Sequence, residues 1–512
     1  MLACTRSASL SGVEGVPVEV EVRISSHLPR MDLVGLPEAS VRESSARVRG
    51  AIAACDLPFP GRRITVNLAP ACHRKTGSAL DLAIAVGILA AAEALPGGAL
   101  PGLGLLGELS LDGRLRPVRG CLALCLALRD AGVRDVVVPE ASLFEAGIAP
   151  GVRLLPAGNL ASVVAHLRGE CRLDAHPATR PPTALPEDLG DLRDVRGQEG
   201  ARRALVVAAA GGHAIRLVGP PGTGKSMLAR RLPGLLPELE PEEALEVARI
   251  HGAAGLLPPA PAPLTRPFRT PHHTASPAGL LGGGRPPRPG EVSLAHRGVL
   301  FLDELPEFQR RALEGLREVL ETGRVVLARA QETATFPARF QLVTASNPCP
   351  CGWWGSARRD CRCDEGAVAR YARRVSGPLL DRIDLHVGVG EVPWRDLAVP
   401  AAGPSSAEAR RMVAAARRRQ ARRLRPHRLS VNAELPEQLL EELARPTREA
   451  LRLLGAAVDR LGLSARGAYR VLRVARTVAD LEGSEVVDAA ALAEALRYRG
   501  GTAGPAAVSE SV

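Results

Sequence analysis

The sequence predicts a multidomain α/β chain: an α/β N-terminal region, a central parallel-sheet region, and a helical C-terminal region. Three observations carry this expectation. At 512 residues the chain exceeds one ordinary core, so roughly two to four domains are expected. Hydrophobic residues make up 46% and charged ones 24%, the profile of a soluble globular protein. The apolar periodicity then changes along the chain, from strand-like alternation, to alternating strands and helices, to helices alone. Aromatics are only 3%, so the cores must rest on Leu, Val, Ile and Ala.

VPVEVEVRI, residues 16–24, places Val16, Val18, Val20, Val22 and Ile24 on one side and Glu19, Glu21 and Arg23 on the other, a half-buried strand. RITVNLAP (63–70) predicts another strand, and SALDLAIAVGILAAAEAL (78–95) a helix buried through most of its girth. GELSLDGRLRPV (107–118) predicts a hairpin turning at Asp112-Gly113. This first region is expected over 1–175. The proline-rich HPATRPPTALPEDL (176–189) lacks apolar periodicity and predicts a linker. Residues 190–398 form the central region, and a second soft joint, VPAAGPSSAEA, starts at 399. Residues 399–500 carry helical patterns: SSAEARRMVAAARRRQARR, PEQLLEELA, REALRLLGAAVDRL and ARGAYRVLRVARTVADL. The tail 501–512 is expected to be disordered.

Lysine plus arginine total 66, yet only two are lysines, Lys75 and Lys225. Lys225 stands between the apolar strand AIRLVG and the helix start KSMLARRL, where Gly219, Pro220, Pro221, Gly222, Thr223, Gly224, Lys225 and Ser226 fit G-x-x-x-x-G-K-[ST]. The glycines let successive N–H groups and the helix N-terminus face a phosphate chain. A compact ammonium fits beside the outer phosphates where the broad guanidinium fork does not, so the arginine bias stops here. Ser226 supplies a hydroxyl to Mg²⁺. A second strand, GVLFLDEL, ends in Asp303 and Glu304: the first carboxylate suits Mg²⁺, the second an attacking water. A third, FQLVTASNP, ends at Asn347, placed to orient that water. Together the three strands predict ATP binding and hydrolysis.

Four of the ten cysteines, Cys349, Cys351, Cys361 and Cys363, form two C-x-C pairs, a candidate Zn²⁺ site; reduced free thiols or a redox pair are the alternatives. No secretory leader is visible, so the ten cysteines suggest a reducing, cytoplasmic setting. The longest uncharged apolar run, 83–92, is too short to span a bilayer, so no membrane partner is expected. The net charge of +11 and a pI of about 9.7 permit an anionic partner such as nucleic acid.

With these strands in place, the chain resembles the AAA+ ATPases of the magnesium-chelatase clade, and within it the ComM/YifB family of competence-associated proteins. The resemblance covers nearly the whole chain, through VGLPEASVRESSARVRGAI, ITVNLAPACHRKTGSALDLAIAVGIL, RPFRTPHHTASPAGLLGGG, NPCPCGWWG, SGPLLDRIDLHV and LSARGAYRVLRVARTVADLEG. It implies a Lon-like N-terminal domain (ribosomal S5 domain 2-like), a central AAA+ domain with a Cys-rich insertion at 349–363, and a helical C-terminal domain. It further implies a homo-hexameric ring acting on single-stranded and branched DNA, driving branch migration alongside recombinase-pathway proteins. Arg382, in LLDRIDLHV, matches the arginine finger that reaches a neighbouring subunit's nucleotide, and Arg466, in LSARG, the second sensor; local pairing of Arg382 with Asp381 or Asp384 is the alternative. Both roles need a planar, permanently charged group near phosphate.

Two rival functions accompany this reading: a chelatase-like motor that remodels a protein partner, and a Lon-like protease. A protease would need a lysine base for Ser78, and the stretch LRPVRGCLAL, where the family partner is expected, has none; Lys75 stands three residues from Ser78 and is expected to be structural or anion-contacting. LETGRVVLARAQETATFPARFQLV predicts a hairpin carrying Arg324 and Arg329, candidates for phosphate contact in a ring pore. Trp353 and Trp354 either stack on bases or pack on the cysteine loop. His272-His273 is a weak metal candidate. The run Arg417, Arg418, Arg419, Arg422, Arg423 and Arg425 suits a duplex or a solvated helix face equally.

Overall fold

The computed structural model describes residues 2–179, 181–186, 189–258, 261–329, 332–356, 358–398 and 403–500. The expected tail at 501–512 lies outside them. The valines of the first strand alternate as predicted: Val18, Val20 and Val22 are fully buried while Glu19 and Arg23 face out. β1 (Leu2–Ser11) and β2 (Glu14–Ser25) pair antiparallel from Leu2–Arg23 to Ser11–Glu14. With β3 (Met31–Val34), β4 (Arg63–Ala69), β5 (Leu103–Leu105), β6 (Asp135–Pro139), β7 (Arg153–Ala157) and β8 (His176–Pro177) they form an eight-stranded sheet ordered β8-β7-β6-β5-β1-β2-β4-β3. The Asp112-Gly113 hairpin forms, pairing Glu108–Leu109 with Leu115–Arg116.

The apolar helix expected at 78–95 spans Asp81–Ala91 and is buried along nearly its whole length. Asp81, at its start, is itself buried; Arg47 (2.6 and 3.1 Å) and the Ser44 hydroxyl donate to its carboxylate, so an acid in this core is paired rather than orphaned. The helix Cys121–Asp130 covers the other face and shares a core with Leu239, Ala244, Val247 and Ala248 of the central region. Across that seam Arg119 donates to Ala253 O at 2.7 Å and Gly120 N to Gly252 O at 3.2 Å.

Glu145 accepts from the Leu122 amide at the start of this helix, and burial pushes its carboxyl from 4.5 up to about 7. A carboxyl raised in the folded state gives stability that is fully present below the unfolded value and lost as pH rises through about 7. Glu145→Gln keeps an acceptor oxygen without the charge. It is expected to stabilise the chain at pH 8, by about 3 kcal/mol at most, and to leave it unchanged at pH 4. Urea melts at the two pH values check this; equal shifts at both would contradict it.

The central sheet is parallel throughout, as its strand–helix alternation predicts. β9 (Ile215–Val218), β10 (Phe268–Arg269), β11 (Val299–Leu302), β14 (Gln341–Ser346) and β15 (Leu385–Gly388) lie in the order β10-β11-β14-β9-β15. β12 (Arg324–Arg329) and β13 (Glu332–Pro337) form the predicted separate hairpin. Alternate strand residues divide between two cores. Ile215, Leu217, Val299, Phe301, Val343 and Leu385 face helices Glu199–Gly211, Ser406–Leu424 and Ala465–Glu482, whereas Leu300, Leu302 and Leu342 face Arg310–Thr322. The C-terminal region is helical, with further helices at Glu437–Ala444, Arg448–Leu461 and Ala489–Gly500. The N-terminal region reaches the hairpin too: the β1–β2 turn at Gly12-Val13 packs on Ala334 and Phe336.

Candidate functional site

Three parallel strands deliver the predicted polar residues to one edge of the central sheet. β9 runs into the loop Gly219–Gly224, and Lys225 opens the helix Lys225–Leu235. Two glycines make this geometry: a Cβ at Gly219 would collide with Val389 O, and Gly224 has φ +88°. Lys225 is buried, and its Nζ donates to Gly219 O (2.7 Å), Pro220 O (2.8 Å) and Asn347 Oδ1 (3.2 Å). Burial pulls its ammonium below the usual lysine range, partly offset by Asp303. Thr223 braces the loop by donating to Pro220 O at 2.9 Å.

Asp303 and Glu304 follow β11. Ser226 Oγ donates to Asp303 Oδ2 at 2.7 Å, so a hydroxyl and a carboxylate stand side by side, a donor pair of the hard oxygen type that Mg²⁺ takes together with waters. A desolvated lysine beside glycine backbone at a helix start is in turn suited to a polyphosphate. Glu304 has left-handed backbone (φ 52°), and its half-exposed carboxylate meets His273 Nδ1 at 3.0 Å. Asn347 follows β14. Lys225, Ser226, Asp303 and Asn347 are thus one connected constellation, with Glu304 adjoining it.

Arg382 and Arg466 stand elsewhere. Both line a cavity of about 700 Å³ bordered by Ala214, Gly298, Gln341 and Asp384, which lie at the starts of the strands rather than their ends. Strands of four to six residues at ~3.3 Å per residue separate this edge from Lys225 by some ~13–20 Å. The Arg382 guanidinium pairs with Glu321 and donates to Pro378 O at 2.6 Å, while its Nε is buried with no hydrogen-bond partner among the described residues. Its local partner is therefore Glu321, not Asp381 or Asp384. Asp384 instead bonds Arg470 (2.8 Å) and His213 (3.1 Å), tying the sheet to helix Ala465–Glu482. Burial opposes its ionisation, but His213 and Arg470 outweigh that and hold the carboxyl far below the usual range.

Known families match along most of this architecture. The family described as magnesium chelatase, subunit ChlI, matches residues 191–397; that described as subunit ChlI of Mg-chelatase matches 20–142; and its ChlI C-terminal counterpart matches 403–499. The chain is 43% identical over 502 residues to the uncharacterised protein YifB of Escherichia coli K12, and 41% identical over 502 residues to the competence protein ComM of Haemophilus influenzae; each alignment covers 97% of both chains. The chain belongs to the ComM/YifB family of magnesium-chelatase-like proteins. An uncharacterised protein of Mycobacterium tuberculosis is 47% identical over 496 residues, covering 96% of this chain and 97% of its own.

Around the Gly219–Ser226 edge of this ComM/YifB-family chain the other candidates divide. The Sγ atoms of Cys349, Cys351, Cys361 and Cys363 all lie within 4.8 Å of one another, a group able to hold a metal ion. Trp353 is half-buried under the Arg359 guanidinium (4.5 Å), and the Trp354 amide bonds Cys349 Sγ, so both tryptophans belong to the cysteine loop. Lys75 and Ser78 do not meet: the lysine donates to the Pro70 and His73 carbonyls, and the Ser78 hydroxyl to Glu108. The arginine run splits. Arg417 and Arg419 bond the Ala209 and Asp480 carbonyls and Arg423 the Asp480 carboxylate, whereas Arg418, Arg422 and Arg425 are exposed. Arg324 is exposed; the hairpin tip at 330 and 331 and the Arg329 side chain lie outside the described part of the chain. No helix among the described residues is long and apolar enough to cross a membrane.

Sequence reasoning misses two partners. His273 is visible only as half of a histidine pair, and nothing in TPHHTAS points to an acid thirty-one residues away (304 − 273). Glu321 is one of several acids on an amphipathic helix, with no local signal for Arg382.

Proposed function

We propose that this chain is an ATP-dependent hexameric DNA motor that drives branch migration while incoming DNA is recombined during natural transformation. Residues 1–175 form a Lon-like domain without the protease dyad, 176–189 a linker whose first two residues, His176 and Pro177, extend the N-terminal sheet as β8, 190–398 an AAA+ ATPase domain with a Cys-rich insertion at 349–363, and 399–500 a helical domain. The observation that carries this reading is the split of the machinery: the loop constellation occupies one edge of the sheet and Arg382 with Arg466 the other. A guanidinium that cannot reach its own chain's loop can serve a bound phosphate only if it is offered to a neighbour's loop, which is the logic of a closed ring with head-to-tail interfaces.

Within such an interface Lys225 and the amides of Gly219 to Gly224 hold the phosphates of ATP, and Ser226 and Asp303 hold Mg²⁺, which neutralises phosphate charge. Glu304 polarises water, Asn347 orients it, and Arg382 and Arg466 stabilise negative charge. Zn²⁺ suits the four thiols. The hairpin, with Arg324 exposed on it and Arg329 near its tip, suits contact with DNA phosphates in the ring's pore, single-stranded or branched. The name of the Haemophilus relative, a competence protein, supports the role in transformation, alongside recombinase-pathway proteins in the cytoplasm. The separate engagement of Lys75 and Ser78 speaks against proteolysis.

The deciding assay uses the purified full chain. Single-stranded DNA is expected to raise ATP turnover, and the assembly to move three- and four-stranded junctions only with ATP. An ATPase indifferent to DNA, with no junction movement, would refute the motor.

A further inference from the structure

Asn347 and the cysteine cluster are one residue apart in the chain. Cys349 is fully buried, and the sulfurs stand 3.4 Å (Cys349–Cys351), 3.5 Å (Cys351–Cys361) and 3.6 Å (Cys349–Cys361) apart. Tetrahedral thiolates at a Zn–S distance of ~2.3 Å sit ~3.8 Å from each other, whereas a disulfide needs ~2.0 Å, so this spacing is that of ligands around an ion. Two backbone amides, Trp354 N at 3.3 Å and Cys363 N at 3.4 Å, donate to the Cys349 and Cys361 sulfurs and fix where those sulfurs point. Arg358, Arg359 and Arg362 lie in the same loop and make it locally basic.

The turn that carries the first two ligands and closes at Gly352 presses on the Gly219–Gly224 loop. Gly352 has φ +86°, and a Cβ there would stand 2.7 Å from the Pro221 ring and 3.8 Å from Asn347 Cγ. The second pair runs into Asp364, whose carboxylate caps the helix Glu365–Ala372 by accepting from Ala367 N at 2.6 Å. Beyond that helix Arg374 pairs with Glu307 at 2.7 Å, three residues past Glu304. From the middle of the loop Arg358 donates to Val392 O at 3.0 Å, just past β15. The cluster therefore closes residues 349–363 into a clamp with arms on the Pro220-Pro221 turn, on Asn347 and on the segment behind the acidic pair.

We infer that Cys349, Cys351, Cys361 and Cys363 bind one Zn²⁺ whose task is to position Asn347 and the Pro221 turn for ATP hydrolysis, making turnover, rather than nucleotide binding, depend on the metal. The inference rests on the ATPase reading above. Among the described residues the Asn347 amide is held at its outer end by the Lys225 ammonium alone, so the fixed point that keeps it aimed is the chain leading into Cys349. The ion would tie all four sulfurs of the two C-x-C turns to one point, and an error of about 1 Å in an orienting group lowers a rate by about 10²-fold.

The experiment compares wild type, Cys361→Ser and, as a control, Cys171→Ser, an exposed thiol outside the cluster. All are purified anaerobically as full chains, with zinc measured by elemental analysis and the visible bands of Co²⁺-substituted protein recorded for tetrathiolate geometry. One zinc per chain is expected in wild type and control. Cys361→Ser is expected to lose zinc and the cobalt bands, to turn over ATP about 10- to 100-fold more slowly, and to keep its KM for ATP within about threefold. Absence of zinc and of the cobalt bands in wild type overturns the site, and a zinc-free Cys361→Ser with wild-type kcat overturns the coupling. Both leave wild-type ATP turnover standing, so neither touches the ATPase reading; zinc-loaded wild type that never hydrolyses ATP refutes that reading instead and removes the coupling with it. Should Cys361→Ser fail to fold, wild type stripped of zinc and then reloaded provides the comparison, and an equal kcat in the two states overturns the inference.

Discussion

Lys225→Ala is expected to lower ATP turnover by about 10³-fold or more and to abolish junction movement while leaving the fold in place. The ammonium is the only cation the structure brings against the Gly219–Gly224 backbone among the described residues, and it is already desolvated and aimed along the loop. Removing it deprives bound phosphate of its one fixed point charge. Lys225→Arg is expected to fail almost as badly. A planar fork cannot occupy a cleft where a single nitrogen lies within 2.7–3.2 Å of three oxygens from Gly219, Pro220 and Asn347. Steady-state ATPase assays and binding of a fluorescent ATP analogue separate loss of binding from loss of chemistry. Lys225→Arg with wild-type turnover would mean that the loop does not hold phosphate through this ammonium.

Why lysine survives at 225 in a chain that otherwise uses arginine is legible in the sequence itself, because the chemistry of that loop is local: eight consecutive residues contain the turn, the charge and the hydroxyl. The same holds for Asp303, Glu304 and Asn347, each announced by an apolar strand that ends in a polar group. The period-two valines of β2, the Asp112-Gly113 hairpin and the C-terminal helices are legible for the same reason. Long-range pairing is not. Nothing near Arg382 reveals that helix Arg310–Thr322 supplies Glu321, or that Asp384 belongs to Arg470 and His213 rather than to Arg382. The arginine run at 417–425 shows the limit of charge counting: its members look alike in sequence, yet three reach backbone or Asp480 and the rest face water, a division set by which turn of the helix meets helices Glu199–Gly211 and Ala465–Glu482.

The sharpest consequence of the two-edged arrangement concerns Arg382. Arg382→Ala alone is expected to reduce ATP turnover by about 10³-fold, the loss typical of a missing arginine finger. The informative step mixes two dead proteins. Lys225→Ala chains keep an intact Arg382, and Arg382→Ala chains keep an intact loop. If each site is shared between neighbours, random co-assembly restores about one interface in four, and turnover returns well above either protein alone. If Arg382 served its own chain's loop, no interface in the mixture would hold both parts, and the mixture would stay as inactive as its components. The sheet argues for the first outcome, since Ala214 at the start of β9 borders the Arg382 cavity while Lys225 follows its far end. Glu321 adds a second layer. Arg382 is held in the isolated chain by that carboxylate, so Glu321→Gln frees the guanidinium for a neighbour and is expected to raise basal turnover modestly in the wild-type background, by an amount that vanishes when Arg382→Ala is also present. Such dependence of one substitution on the other identifies the Glu321 contact as a resting position of the finger rather than a structural tie.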